Sequence, residues 1–209
     1  METYIRNGNL ISLLNKVKAL SEESFSYLVS ANDPFGYDTR EEHSSKRLKV
    51  QFSLEKKEND IPFYYNGWRS DGIGYVNKDT VKRNKDAVSK YKIFIPKAWG
   101  TGNPSKDWLN CFIPEYNAVC TETYLMIGPF DTLEEAENCM GYTQTKFFHL
   151  MVSFIKSTQN TMQKAYATVP TQDFREVWTD EKLYKKYGFT VDEIAYIESY
   201  IRNKNNADN

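Results

Sequence analysis

Leu10, Leu13, Leu14 and Val17 recur at helical spacing, so Asn9 to Leu20 is predicted to be an amphipathic helix. Ser21, followed by Glu22 and Glu23, reads as the cap and first turn of a second helix ending before Asn32-Asp33-Pro34. The rhythm then changes to period two. Leu48, Val50, Phe52 and Leu54 alternate with Lys49, Gln51 and Ser53, the pattern of a half-buried strand. Ile61 to Tyr65 and Gly72 to Val76 are short strands around Asn66-Gly67, and Asp79 to Tyr91 is expected to be helical. Two apolar strands follow, Lys92 to Ile95 and Tyr124 to Ile127, joined by a segment rich in Gly, Asn and Pro. Loops of that length without periodicity tend to carry function.

Beyond Ile127 the chain becomes helical. Thr132 and Glu135 form a capping box, and Phe147, Phe148, Leu150, Met151, Phe154 and Ile155 line a core stripe from Thr143 to Lys156. A turn follows over Thr161 to Ala167. Thr179-Asp180-Glu181 leads a short helix to Tyr187-Gly188, and a second capping box, Thr190 and Glu193, opens a last helix through Ile201. These elements predict an α+β fold: a twisted mixed or antiparallel sheet with flanking helices and a helical C-terminal tail. The expected organisation is an N-terminal helical segment (1–31), a central domain (32–174) and the tail (175–209).

Composition narrows the class. The chain has 209 residues, enough for a sizeable core without disulfides or metals, and is 15% aromatic. No apolar run approaches membrane-spanning length, and Met1 to Leu20 lacks the apolar core of a secretory signal. Cys111, Cys120 and Cys139 form no CxxC, so a reducing cytoplasm is expected. The net charge is only −1, but it is sorted along the chain. Between residues 78 and 106, Lys78, Lys82, Arg83, Lys85, Lys90, Lys92, Lys97 and Lys106 face only Asp79 and Asp86. From Glu115 to Glu137 every charge is acidic, and from Thr143 to Val169 the only charges are Lys146, Lys156 and Lys164. Such sorting can build a basic face on a nearly neutral protein, although charge blocks also occur as plain solvated surface.

Catalytic motifs are sparse. His43 and His149 are far apart, and His149 falls inside the aromatic stripe, where a structural role is expected. No histidine or cysteine spacing fits zinc, and the pairs Gly72/Gly74 and Gly100/Gly102 lack the third glycine of a dinucleotide loop. Asp33-Pro34-Phe35 lacks the second proline of the loop that holds a target amine in amino-methyltransferases. One acidic set stands as an alternative: Asp38 with Glu55 and Lys57, an acid followed by Glu-x-Lys, can hold a divalent cation in a restriction nuclease. Pro96-Lys97-Ala98-Trp99-Gly100 offers something else. A cation and an indole beside flexible backbone suit a surface that grips phosphates and stacks on a base, the competing reading being a solvated strand end and a core plug.

Several stretches together carry a resemblance: PFG (34–36), GIGYV (72–76), KYKIFIPKAWG (90–100), CTETYLMIGPFDTLEEAEN (120–138), TKFFHLMVSFIKSTQN (145–160), VPTQDF (169–174) and WTDEKLYKKYGFTVDEIAYIESYIR (178–202). Over roughly residues 25–202 the chain resembles the C-terminal target recognition domain of type II restriction-modification adenine-specific DNA methyltransferases. It is also similar in layout to the recognition domains of type I specificity subunits. His149 and Ser153 stand where that family is often basic.

The resemblance implies binding of double-stranded DNA, with the methyltransferase catalytic domain supplied in cis or in trans. S-adenosylmethionine would belong to that domain, so no cofactor and no catalytic residue are expected in this chain. Phosphates would be gripped by Lys78, Lys82, Arg83, Lys92 and Lys97, with Thr143, Lys146, Asn160 and Lys164 adding backbone contacts. Base edges would be read by Asn66, Trp68, Arg69, Trp99, Asn103 and Lys106. The tail is expected to pack on the domain or its partner.

Overall fold

The computed structural model describes residues 8–38, 51–98, 108–155 and 162–201. The N-terminal leucine stripe forms α1 (Gly8–Lys18) and buries Leu13, Leu14 and Val17. No second helix follows from Ser21, which has φ 49°. The backbone turns extended instead: Phe25 N–H donates to Val169 O at 2.8 Å, and Thr171 N–H to Glu23 O at 2.7 Å. Only a 3-10 turn over Phe25–Leu28 remains, capped by Ser24. Burial of Phe25 against Tyr142, Phe148 and Phe174 overrides the local helix signal.

β1 (Asp60–Tyr64) runs into α2 (Trp68–Asp71), a four-residue helix set between Gly67 and Gly72, and returns as β2 (Gly74–Asn77). The strand expected over Leu48 to Leu54 does not extend through its described part. Ser53 alone bridges, to Tyr75, while Phe52 and Leu54 are exposed. Phe52 lies against the Tyr65 ring at 4.6 Å and over Gly74, so it covers the edge of the sheet rather than alternating with it. The helix expected over Asp79 to Tyr91 is also interrupted. A 3-10 turn (Lys78–Thr80) and α3 (Lys85–Val88) flank Asn84 at φ 46°, and the Lys82 amide is taken by Phe35 O.

β3 (Tyr91–Pro96), β4 (Val119–Cys120) and β5 (Tyr124–Phe130) complete the strands. β1 pairs antiparallel with β2 and parallel with β4, giving a three-stranded mixed sheet. β3 and β5 form a separate antiparallel ribbon, widened by single bridges from Val29 to Ile127 and from Phe94 to Phe112. Because strand side chains alternate, the ribbon serves two cores. Ile93, Ile95, Leu125 and Ile127 enter the larger one with the helices. Phe94, Tyr124 and Met126 enter the smaller one with the mixed sheet.

α4 (Leu133–Thr143) begins at the Thr132–Glu135 capping box, and α5 (Lys146–Ser153) at a Thr145 cap, three residues after the expected start. A 3-10 turn (Gln163–Tyr166) precedes α6 (Asp180–Lys186) and α7 (Val191–Tyr200), the latter opened by its own capping box at Thr190 and Glu193. Asp180 caps α5 from outside, accepting from the Lys146 and Phe147 amides at 3.0 and 2.8 Å. The Phe147 and Tyr187 rings stack at 4.8 Å, a contact of about 0.5–1.5 kcal/mol beyond the area it buries. Leu183, Tyr187 and Ile197 of the tail, Leu13 and Phe25 near the N-terminus, and Leu150 all belong to the larger core, which therefore draws on all three sequence segments. The fold is α+β. No described helix is long and apolar enough to cross a membrane.

Candidate nucleic-acid interface

One short loop, Ser30 to Tyr37, gathers much of the polar chemistry. Pro34 and positive-φ positions at Asp33 (59°) and Gly36 (86°) prevent it from joining either sheet, so its polar groups bond outward instead. The segment from Thr80 to Asn84 is zipped along it: Tyr37 Oη to Thr80 Oγ1 at 2.8 Å, Lys82 N–H to Phe35 O at 3.2 Å, and Asn84 Nδ2 to Pro34 O at 2.7 Å. Arg83 Nη1 adds weaker contacts to Asp33 O and Oδ2, both at 3.4 Å. This holds the exposed Lys82 and Arg83 beside the loop, whereas the exposed Lys78 is tied to the turn before β1, its amide donating to Asn59 O at 3.1 Å. Gly36 has no room for a side chain, since an added Cβ would lie 2.8 Å from Lys82 Cβ. Burial raises the Asp33 carboxyl above its ordinary range, with the Arg83 charge opposing.

The same loop reaches the end of the ribbon. Ser30 N–H donates to Met126 O at 2.7 Å, and Lys97 Nζ, just past β3, donates to Asn32 Oδ1 at 3.1 Å. Across the ribbon Pro96 pairs with Tyr124, whose hydroxyl accepts from Trp68 Nε1 at 2.9 Å. Trp68 is held edge-on by Tyr64 at 4.9 Å and lies 5.3 Å from Phe112, and the exposed Arg69 guanidinium rests over Trp68. A continuous chain of contacts thus links Arg69 and Trp68, through Tyr124 and Lys97, to Asn32, Asp33 and Arg83. A cleft of about 530 Å³ opens beside it, walled by Tyr27, Asn32, Arg83, Asn84, Pro129 and Gln163.

Other expected contacts do not reach this surface. Lys92 is 1% exposed, on the ribbon face that enters the smaller core, and its ammonium donates to Val88 O at 3.0 Å. Burial holds its pKa down to about 8. Strand parity puts it there, two residues before Phe94, so it cannot touch phosphate. Thr143 is fully buried, donating to Met140 O at 2.7 Å. Lys146 is tied to Glu198 in the helical layer, with 13% of its side chain exposed. Asn66 and Lys164 are exposed, Lys164 next to the cleft residue Gln163. Trp99, Asn103, Lys106 and Asn160 lie outside the described residues.

The alternative acidic set, Asp38, Glu55 and Lys57, draws on two separate segments of the described chain. Asp38 acts electrostatically on Asp33, whereas Glu55 and Lys57 are exposed in the turn before β1, the Lys57 amide bonded to Asp60 Oδ2 at 3.0 Å. Among the described residues no group of three or more His, Cys, Asp or Glu could hold a metal ion. His149 is buried, its ring 4.3 Å from that of Trp108. The residues that organise the surface without having been singled out in the sequence are Asn32, Asn84 and Tyr124. Only Asn32, in the turn-forming run Asn32-Asp33-Pro34, had a local signal. In comparisons with known proteins, no family model, no curated protein and no solved structure matches this chain.

Proposed function

We propose that the chain is a DNA-recognition module, non-catalytic by itself, of a restriction-modification adenine-specific DNA methyltransferase, with the α+β fold of a target recognition domain. The resemblance over residues 25–202 supplies the family. The observation that supports the reading is the 30–37 loop, along which Lys82 and Arg83 bond on one side and Lys97 on the other, a path that continues through Tyr124 to Trp68 and Arg69. Cations along such a path suit a phosphate backbone, and a stacked arginine beside them suits base edges. Base flipping and methyl transfer would fall to a separate catalytic domain carrying S-adenosylmethionine. This chain would select the site and hold the duplex.

Anisotropy of a labelled duplex, titrated across a salt series, tests the reading. Four phosphate contacts predict a slope of log K against log salt of about −3 to −4, and Lys82→Ala and Lys97→Ala should each reduce it by about one. Binding that is absent, or indifferent to salt and to both substitutions, would overturn it.

A further inference from the structure

Of the charged groups on this surface, Arg69 is held differently from the rest. Arg83 is engaged by Asp33 and Lys97 by Asn32, while Lys78 and Lys82 are exposed and, among the described residues, rest on no ring. Among the described residues Arg69 makes no ion pair and no hydrogen bond, yet its position is defined. Its guanidinium carbon sits 4.9 Å from the centre of the Trp68 ring and 5.7 Å from that of Phe112. Those rings are themselves fixed. Trp68 donates to Tyr124 Oη, and Phe112 meets Phe94 and Tyr124 at right angles. Gly67 and Gly72, both at positive φ, confine the residue to a single helical turn. A guanidinium resting over two rings without a hydrogen-bond partner keeps its N–H donors available, in a planar fork that gives up less conformational entropy when a ligand arrives.

Those donors have one sequence-specific partner on a duplex. Two parallel N–H donors fit the O6 and N7 acceptors of guanine in the major groove; they also fit a phosphate, but that contact carries no base preference. Resting on the DNA-recognition reading above, we infer that Arg69 reads a guanine within the recognised sequence, Trp68 and Phe112 serving to aim it.

Selection of bound duplexes from a random pool, followed by affinity measurements on the winning sequence, tests this with the full chain. One guanine position should lose its preference with both Arg69→Ala and Arg69→Lys, and affinity for the winning site should fall about 10- to 100-fold. Replacing that guanine by 7-deazaguanine should weaken the parent protein but not Arg69→Ala. Thermal melting confirms that each variant is folded, as expected for an exposed side chain. If Arg69→Ala weakens binding to all duplexes alike while the guanine preference persists, the residue grips phosphate and the inference fails. If Arg69→Ala selects the same sequence with the same stringency, the inference fails while the DNA-recognition reading stands. If the parent enriches no duplex, both fall together.

Discussion

Replacing Lys92 by methionine should stabilise the protein. The ammonium is enclosed by the smaller core and has one hydrogen bond, to Val88 O. Burial lowers its pKa from 10.5 to about 8, with the neighbouring Cys120 opposing. At 1.36 kcal/mol per unit, the charged form is disfavoured in the native state by roughly 3 kcal/mol. Methionine has a similar length and no charge, and loses only the bond to Val88, worth about 1 kcal/mol. A net gain of about 1–2 kcal/mol at pH 7 follows, in keeping with buried charges that apolar residues replace at no loss. The pH dependence has a definite sign. Below pH 8 Lys92 is protonated in both states and the penalty is complete. Between about 8 and 10.5 the unfolded chain binds the proton more readily than the native one, so the parent gains stability as the pH rises and the advantage of Lys92→Met shrinks. Urea denaturation of both proteins at pH 7, 8.5, 9.5 and 10.5 measures the difference directly. Taking the difference also removes most of the contribution of tyrosines that titrate over the same interval. A variant destabilised by more than about 2 kcal/mol at pH 7, with a gap that ignores pH, would refute the reasoning. Duplex binding and its salt slope should be unchanged, because Lys92 never reaches the surface.

Gly36→Ala should cost roughly 1–2 kcal/mol from its left-handed backbone alone, and more from the clash with Lys82 Cβ. Urea midpoints and duplex affinity should both fall, whereas Gly188→Ala, also left-handed but facing open space, should lower only the midpoint. Glu193→Gln should destabilise the protein at pH 7. Burial alone would raise that carboxyl, but hydrogen bonds from Lys16 and the Thr190 amide, together with the Lys16 charge, hold it below its ordinary value of 4.5. Its contribution is present above that value and lost as the pH falls through the lowered one, so the thermal-melting gap to the parent should close in acid.

The helical half of the fold was largely legible in the sequence because its signals are local. Thr132, Thr179 and Thr190 cap the helices expected of them, and Thr132 and Thr190 form both capping boxes. The strands around Ile93 and Leu125 are equally plain, since short apolar runs bounded by turn residues have few other uses. Ser21 misled because its helix competes with long-range pairing to the 169–171 segment, which no window of sequence contains. Lys92 misled for a different reason. In a strand buried on both faces, alternation no longer distinguishes inside from outside, and a lysine between Tyr91 and Ile93 looks exposed by analogy with Lys90 and Lys97. On the candidate surface the exposed Lys82 and Arg83 could be picked out from the sequence, but not what holds them beside the loop. Side-chain bonds from Asn84 and Tyr124 join segments dozens of residues apart.

The β3–β5 ribbon acts as a party wall between two rooms. Neither can be emptied while the other stays furnished, because Ile93 and Ile95 hang on one side of a strand whose Phe94 hangs on the other. Trimming the chain at residue 31 or 174 would leave α4 and α5 in place but remove Leu13, Leu14 and Val17, or Leu183, Tyr187 and Ile197, from the room they furnish. Neither end can therefore be cut away without unpacking the larger of the two cores.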